Sequence, residues 1–341
     1  MNKTYLFITA LFVLIFMSCQ SRKKNNAEKQ NEIELVAEKQ LVFPLDEQTY
    51  YLSKSMFQFE ENGKEYLHFE NTRKSLYDIV IFDIENKQIA KRIPLHKTGP
   101  NGLPAVYGSR PSPDSKQILI SQNNIGRLST INNQGEVVHN YPVKTPEGRF
   151  TTFFFCSYYN APAFVKDSCI FLNQGIFKPN MKREDWPQTH MFASQNLETG
   201  KFEWVPIFYP PIFKEEYENI DGGYGFSYDY NYKENRLICG FFGYDSLMVT
   251  DDLKHIRWYN AKSKYLKSMK PKLGNAMAGI NSIIEFCEAP MYWHIMYDKY
   301  RDVYYRFAEM PYKLAPNESP YDEPKGKEFS VIVLNADFEI I

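Results

Sequence analysis

The chain has 341 residues, and its 40 Lys and Arg against 41 Asp and Glu leave a formal net charge of −1. That balance argues against a nucleic-acid partner, which demands a basic surface, and 43% hydrophobic with 24% charged residues excludes wholesale disorder. Aromatic residues make up 16% of the chain, with 26 Phe, 25 Tyr and 4 Trp, a bias that suits strands and ring-stacking surfaces.

Met1 to Lys3 is a short positive start, and residues 5–17 form an apolar run broken only by Thr9. The run is short of the roughly 20 residues of a membrane span, but it suits the h-region of a signal peptide over residues 1–18. Ser18-Cys19 at its end resembles the lipobox of bacterial lipoproteins, with Phe16 and Met17 where that family usually has Leu and a small residue. The resemblance implies cleavage before Cys19 and a lipid on its sulfur, which ties the chain to a membrane. A plain secretory peptide or an uncleaved anchor is the alternative. Residues 20–32 offer no side chain larger than Ala27 to bury among apolar neighbours, so 19–32 reads as a lipidated Cys and a flexible tether. Gln20 in place of Asp implies, by the same resemblance, the outer membrane. Basic Arg22, Lys23 and Lys24, where surface-exported lipoproteins carry acidic residues, favour its periplasmic side over the cell surface.

From residue 33 to 341 one unit repeats. A strand, a polar turn and a second strand recur at 57–69, 111–120, 164–172, 230–239 and 295–305. Asn, Asp, Gly and Ser in the turns enter left-handed backbone geometry cheaply, which reverses a hairpin. A further strand pair follows at 76–83 and 89–95, at 128–131 and 137–141, at 191–194 and 202–205, and at 247–250 and 256–258. Four short antiparallel strands about every 50 to 65 residues predict an all-β propeller, with an irregular β-sandwich as the alternative. Helical periodicity is confined to 262–270 and 275–286. Five units are visible, the last ending inside its fourth strand at 335–341, and 33–45 reads as a strand that closes a final blade. Repeat arithmetic then predicts an open or truncated ring, short of a blade of about 40 residues, with exposed sheet edges.

The Cys-terminated leader, the repeats, and Ile93-Pro94-Leu95 running into Lys97-Thr98-Gly99-Pro100-Asn101-Gly102 together resemble a lipoprotein family of Bacteroides-type bacteria. This is domain-of-unknown-function family 4221, with TolB-like six-bladed propellers, and the resemblance covers most of residues 33–341. It implies a six-bladed TolB-like β-propeller, here lacking most of its last blade, and a place in the envelope. It implies no activity.

In a propeller, loops joining strands two and three and loops joining successive blades emerge on one face. The long insertions at 178–188, 260–290 and 311–327 all fall in that class, while turns of the other class stay short. Growth confined to one face predicts a covered mouth over the central channel. Its candidates for ligand binding are Asn101, Arg183, Trp186, His190, Tyr224, Trp293 and His294. Trp and Tyr faces stack on flat ligands such as sugar rings, and Arg183 has the fork for a carboxylate. Against that, Trp and Tyr in a propeller more often pack between blades, and either His is more often structural.

Catalytic signals are thin. The chain has no Gly-x-Ser-x-Gly elbow, His-Glu-x-x-His, Walker loop or dinucleotide fingerprint. The neighbouring acids Asp251-Asp252, Glu215-Glu216 and Glu60-Glu61 point to opposite strand faces and make poor acid–base pairs. No catalytic residue, cofactor or metal is therefore expected. Beyond Cys19 the cysteines are Cys156, Cys169, Cys239 and Cys287, expected as buried free thiols, with Cys239 to Cys287 the least strained alternative bridge. These features favour a non-catalytic binding or interaction module for a glycan, peptide or partner protein. The alternative is a carbohydrate- or peptide-active hydrolase or lyase with its site at the loop-rich face.

Overall fold

In the computed structural model, the described residues are 40–53, 55–71, 77–112, 114–122, 126–143, 154–155, 161–174, 188–210, 225–267, 280–320 and 326–341. Cys19, the leader and the tether lie outside them. The strands assemble into five antiparallel sheets, each a contiguous stretch of chain. The first is β1 (Met56–Glu61), β2 (Lys64–Asn71), β3 (Asp78–Asp83) and β4 (Gln88–Pro94), paired in that order. The second repeats the pattern with β5 (Gly108–Pro111), β6 (Ile118–Gln122), β7 (Arg127–Ile131) and β8 (Val137–Pro142). In the third, β9 (Phe154–Phe155) and β10 (Phe164–Lys166) both pair with β11 (Cys169–Gln174), followed by β12 (Phe192–Asn196) and β13 (Phe202–Trp204). The fourth is β14 (Phe226–Asn231), β15 (Arg236–Phe241), β16 (Ser246–Thr250) and β17 (Arg257–Asn260). After the helix α1 (Ile280–Glu288) comes the fifth: β18 (Met291–Asp298), β19 (Val303–Glu309) and β20 (Phe329–Leu334). Its fourth strand is reduced to a single Leu334–Ile340 bridge.

The turns form where the sequence puts them. Asn62 and Gly63 both take positive φ, 52° and 75°, and so do Asp167 and Ser168, 49° and 59°. Two left-handed central residues give the type I′ twist that matches flanking strands.

Alternation within each strand sends side chains to two neighbouring blades. In β15, Leu237, Cys239 and Phe241 join a cluster with the third sheet, while Ile238 joins one with the fifth. Both faces are buried, which explains the unbroken apolar run. Clusters of this kind join sheets one and two, two and three, three and four, and four and five. Each fully buried large side chain contributes roughly 1.5–3 kcal/mol, so these four interfaces hold the ring.

Packing between blades also fixes one glycine. Gly135, at φ 83°, sits in the β7–β8 turn of the second blade, where a Cβ would lie 2.2 Å from the Pro94 carbonyl oxygen of the first.

The interface between blades five and one is different. Among the described residues no apolar cluster spans it. Tyr300, in the β18–β19 turn, donates its hydroxyl to Glu65 and accepts from Gln58 Nε2 at 3.1 Å. Lys299 comes within 4.0 Å of Glu65. The first blade's free face, Phe69, Val80 and Phe82, is covered instead by Phe43, whose ring lies 5.3 Å from that of Phe82.

These contacts correct two expectations. The described residues form five blades, not six, and blade five meets blade one directly, so no sixth blade is wanting between them. Both the repeat arithmetic, which took 33–45 for the closing strand of a further blade, and the resemblance to six-bladed propellers overcounted: the five visible units are the blades of the ring. The stretch 40–45 holds no strand and lies on blade one, while 33–39 is outside the described residues. Cys169, Cys239 and Cys287 are free thiols, with no Cys239–Cys287 bridge, and Cys156 is outside the described residues.

Candidate binding face

Strand order confirms that loop growth is one-sided. Turns between first and second strands, and between third and fourth, are short, whereas 175–191, 205–225, 261–290 and 310–328 all leave by the opposite end. Two of these insertions are tied together over blade five. Lys327, only 7% exposed, donates from Nζ to the Cys287 and Ala289 carbonyls at 3.1 and 3.0 Å and pairs with Glu309 at 2.8 Å. A cation there satisfies carbonyls left over at the end of α1. Tyr312 N donates to Glu288 O at 3.0 Å, and Leu314 N to the Glu288 carboxylate at 3.1 Å.

At this end of blades four and five lies an aromatic ledge. The β18–β19 register shifts between Tyr292 and His294, leaving Trp293 as the extra residue of a bulge. A bulge re-aims the side chain it carries. The half-buried Trp293 ring stacks on Phe242 with centroids 5.0 Å apart and planes at 30°. Phe242 follows β15 directly and is held by its own backbone, its N donating to Gly225 O at 3.1 Å and its O accepting from Tyr292 N at 2.9 Å. Its ring occupies the place of a side chain at residue 225, where a Cβ would lie 2.1 Å away. Only glycine admits that ring. The ledge is preorganised by backbone, so a flat ligand meets a surface already in place.

The other described mouth candidates do not join it. Asn101 accepts the Val137 amide on Oδ1 at 3.1 Å and so ties the loop after blade one to the outer strand of blade two. His190 stacks flat on Trp204, centroids 5.3 Å apart, and its Nδ1 lies 2.8 Å from Val205 O, which pins the edge of blade three. His294 lies against Phe307, ring centroids 5.9 Å apart, and burial holds its imidazole down to about 4. Arg183, Trp186 and Tyr224 are outside the described residues.

One cluster has the composition of a hydrolase site. His68 Nε2 is 2.9 Å from Ser109 Oγ, which donates to Glu70 Oε2 at 2.7 Å. In a nucleophilic relay the imidazole stands between hydroxyl and carboxylate; here the hydroxyl stands between the other two. All three side chains are buried. Burial, then the nearby Arg110 charge, pushes the His68 imidazole down to about 3, and burial raises the Glu70 carboxyl against its bonds to Ser109 and Ser55. The cluster ties blade one to blade two and offers no accessible nucleophile.

The sequence reading missed the inner-strand charges Arg110 and Asp229 and the ledge partner Phe242. Asp229 had a visible signal, as the lone charge in the aromatic run Phe226-Ser227-Tyr228-Asp229-Tyr230. Arg110 had none, because β5 is short and polar.

The family model described as Domain of unknown function (DUF4221) matches residues 32–341. A crystal structure of a DUF4221 member from Bacteroides vulgatus is 84% identical, covering 92% of this chain and 86% of that one with a TM-score of 0.87. A second solved structure, from Bacteroides fragilis, shares 9% identity at a TM-score of 0.54, covering 88% of this chain and 73% of that one, a likeness of fold. A search of the curated proteins finds no match. With the family model spanning the whole propeller, the chain belongs to the DUF4221 family.

Proposed function

We propose that this protein is a binding module of the cell envelope, held to the periplasmic side of the outer membrane by a lipid on Cys19, whose propeller captures a glycan at its loop-bearing face. The observation that carries the reading is the Trp293–Phe242 ledge, a bulged indole fixed over a backbone-anchored ring. Aromatic faces of this kind stack on the C–H faces of sugars, and a rigid one loses little entropy on binding. The one-sided loops, with Lys327 pinning α1, supply walls. The hydrolase or lyase reading has no comparable support, since the Ser–His–carboxylate contact among the described residues is sealed and wrongly ordered.

Two experiments test this. Full-length protein labelled with a radioactive fatty acid in cells should carry label that Cys19→Ser abolishes; persistence of label removes the anchor. On a glycan array with detergent-solubilised full-length protein, Trp293→Ala should weaken capture about tenfold, or 1.4 kcal/mol, while His190→Ala leaves capture unchanged. Equal capture by Trp293→Ala and the unmutated protein would remove the ledge from the binding site.

A further inference from the structure

Residues 40–52 cross blade one as a strap, and they reverse the usual sorting of side chains. Phe43 packs on Phe82 of β3; the rest of the strap is held through polar groups. The Asp46 carboxylate pairs with the Arg92 guanidinium of β4 at 2.6 Å and accepts from Thr49 Oγ1 at 2.7 Å. Tyr50 N donates to Asn71 Oδ1 at the end of β2, and Asn71 Nδ2 donates back to Gln48 O, both at 3.0 Å. Thr49 is buried.

The other apolar side chains of the strap stay in solvent. Leu41, Val42, Leu45, Tyr50, Tyr51 and Leu52 are all exposed, Val42 by 62% and Tyr51 by 67%, and the Tyr50 and Tyr51 rings lie 4.6 Å apart. Single exposed hydrophobes are ordinary on a soluble surface, but six within twelve positions of a pinned segment are not. The strap's charged residues are Asp46, already paired, and Glu47. What it presents is apolar area, with no lysine or arginine to draw a charged partner.

Its place in the chain identifies what covers it. Twenty residues, 20–39, separate Cys19 from Gln40, and a stretch of that length spans at most roughly 70 Å. With a lipid on Cys19 the strap cannot leave the neighbourhood of the bilayer. A link this short holds it there at an effective concentration of about millimolar, so even a weak apolar contact is made most of the time. Tyrosines suit that boundary, since the ring enters the apolar side while the hydroxyl stays among headgroups.

We propose that the strap is a membrane-docking surface, which lays the edge of blade one on the same bilayer that holds the lipid of Cys19. The proposal rests on the lipid-anchor reading above and goes beyond it, because a second contact gives the anchored propeller a fixed orientation. The docked edge belongs to blade one and the ledge to blades four and five, so membrane contact and ligand capture use different parts of the ring.

Full-length lipidated protein in vesicles of phosphatidylethanolamine and phosphatidylglycerol, with and without bromine on the acyl chains, tests the assignment. Tyr51→Trp adds an indole whose fluorescence, taken over that of the unmutated protein, should fall by at least half in the brominated vesicles. The loss should be the same in about 0.15 M and about 1 M NaCl, because salt does not screen an apolar contact. Tyr232→Trp places an indole at a position 49% exposed, in the β14–β15 turn at the opposite end of the propeller from Asn71, and should lose less than a tenth. Val42→Ser and Leu52→Ser together, added to Tyr51→Trp, should cut the quenching at least threefold while the protein stays on the vesicles, with a thermal melt confirming that it is folded. An unquenched indole at residue 51 in protein that stays on the vesicles overturns the proposal and leaves the anchor standing, whether the strap then meets a second copy or another protein. Quenching that disappears in high salt, or that is equal at residues 51 and 232, overturns it as well. Failure of the anchor looks different: the unmutated protein would carry no fatty-acid label and would wash off the vesicles, and the docking surface would fall with it.

Discussion

Arg306→Leu is expected to lower the stability of the propeller by about 3–5 kcal/mol, the magnitude seen when one side of a buried charged network is removed. Arg306 lies in β19 and is completely buried. From one guanidinium nitrogen it donates to the Asp245 and Ala261 carbonyls at 2.5 and 2.8 Å, and from the other to Tyr244 and Phe241 at 2.5 and 3.5 Å. Its flat face rests on the Tyr292 ring, 3.5 Å from the centroid. Burial pulls the guanidinium down to about 10, which leaves it charged at neutral pH. Four carbonyls at the upper end of blade four thus converge on one side chain of blade five; a leucine would take the guanidinium donor from all four and leave those of Asp245 and Phe241 with only the Ala261 and Tyr244 amides. Phe242, the lower half of the ledge, directly follows Phe241. Urea unfolding at neutral pH reads the loss, and Arg306→Lys should recover less than half because an ammonium cannot span all four acceptors. A loss below about 1 kcal/mol would show that the carbonyls find other partners.

Between pH 6.5 and 5 the protein is expected to lose stability through two buried imidazoles. His68 is held down to about 3 and His294 to about 4, both chiefly by burial, against an ordinary value near 6.5 in the unfolded chain. Their contribution is complete above pH 6.5. It falls as the unfolded chain takes up protons that the folded protein refuses, by roughly 2 kcal/mol for each group at pH 5. The groups around His68 modify this. Arg110 deepens its depression, and Glu70, whose carboxyl is raised by burial, binds its proton more tightly folded than unfolded and so works in the opposite direction as pH falls. Asp229 acts in the same sense as Glu70. Comparing unfolding free energies at pH 7 and 5 isolates the imidazoles: His68→Gln and His294→Gln should each flatten the pH dependence by about 2 kcal/mol, whatever they do to stability at pH 7. An unchanged slope in both variants would mean that neither imidazole carries the acid sensitivity.

How far the molecule was legible in advance can be judged residue by residue. Asn62-Gly63 and Asp167-Ser168 announced their turns because a left-handed pair is a local steric property. The long insertions announced the loop-bearing face, because strand order alone fixes which end of a blade they leave from. Trp293 was named as a mouth residue, but its neighbour His294 was named with it, and only the packed blades show that Trp293 meets Phe242 while His294 meets Phe307. Asn101 looked like a ligand contact in a family-marking loop, yet its amide oxygen is taken by Val137 on the next blade, a contact 36 residues away.

The amino-acid order by itself determined the strands, their turns, the five-fold repetition and the side on which the loops grow, since each depends on neighbours within a hairpin's length. The tertiary structure decided the rest. That blade five closes on blade one through Tyr300 and Glu65, 235 residues apart, and that Arg306 spends its donors on another blade's carbonyls, are properties of a closed ring. No local pattern encodes them, because a strand's alternation says which side chains share a face but not which blade that face will meet.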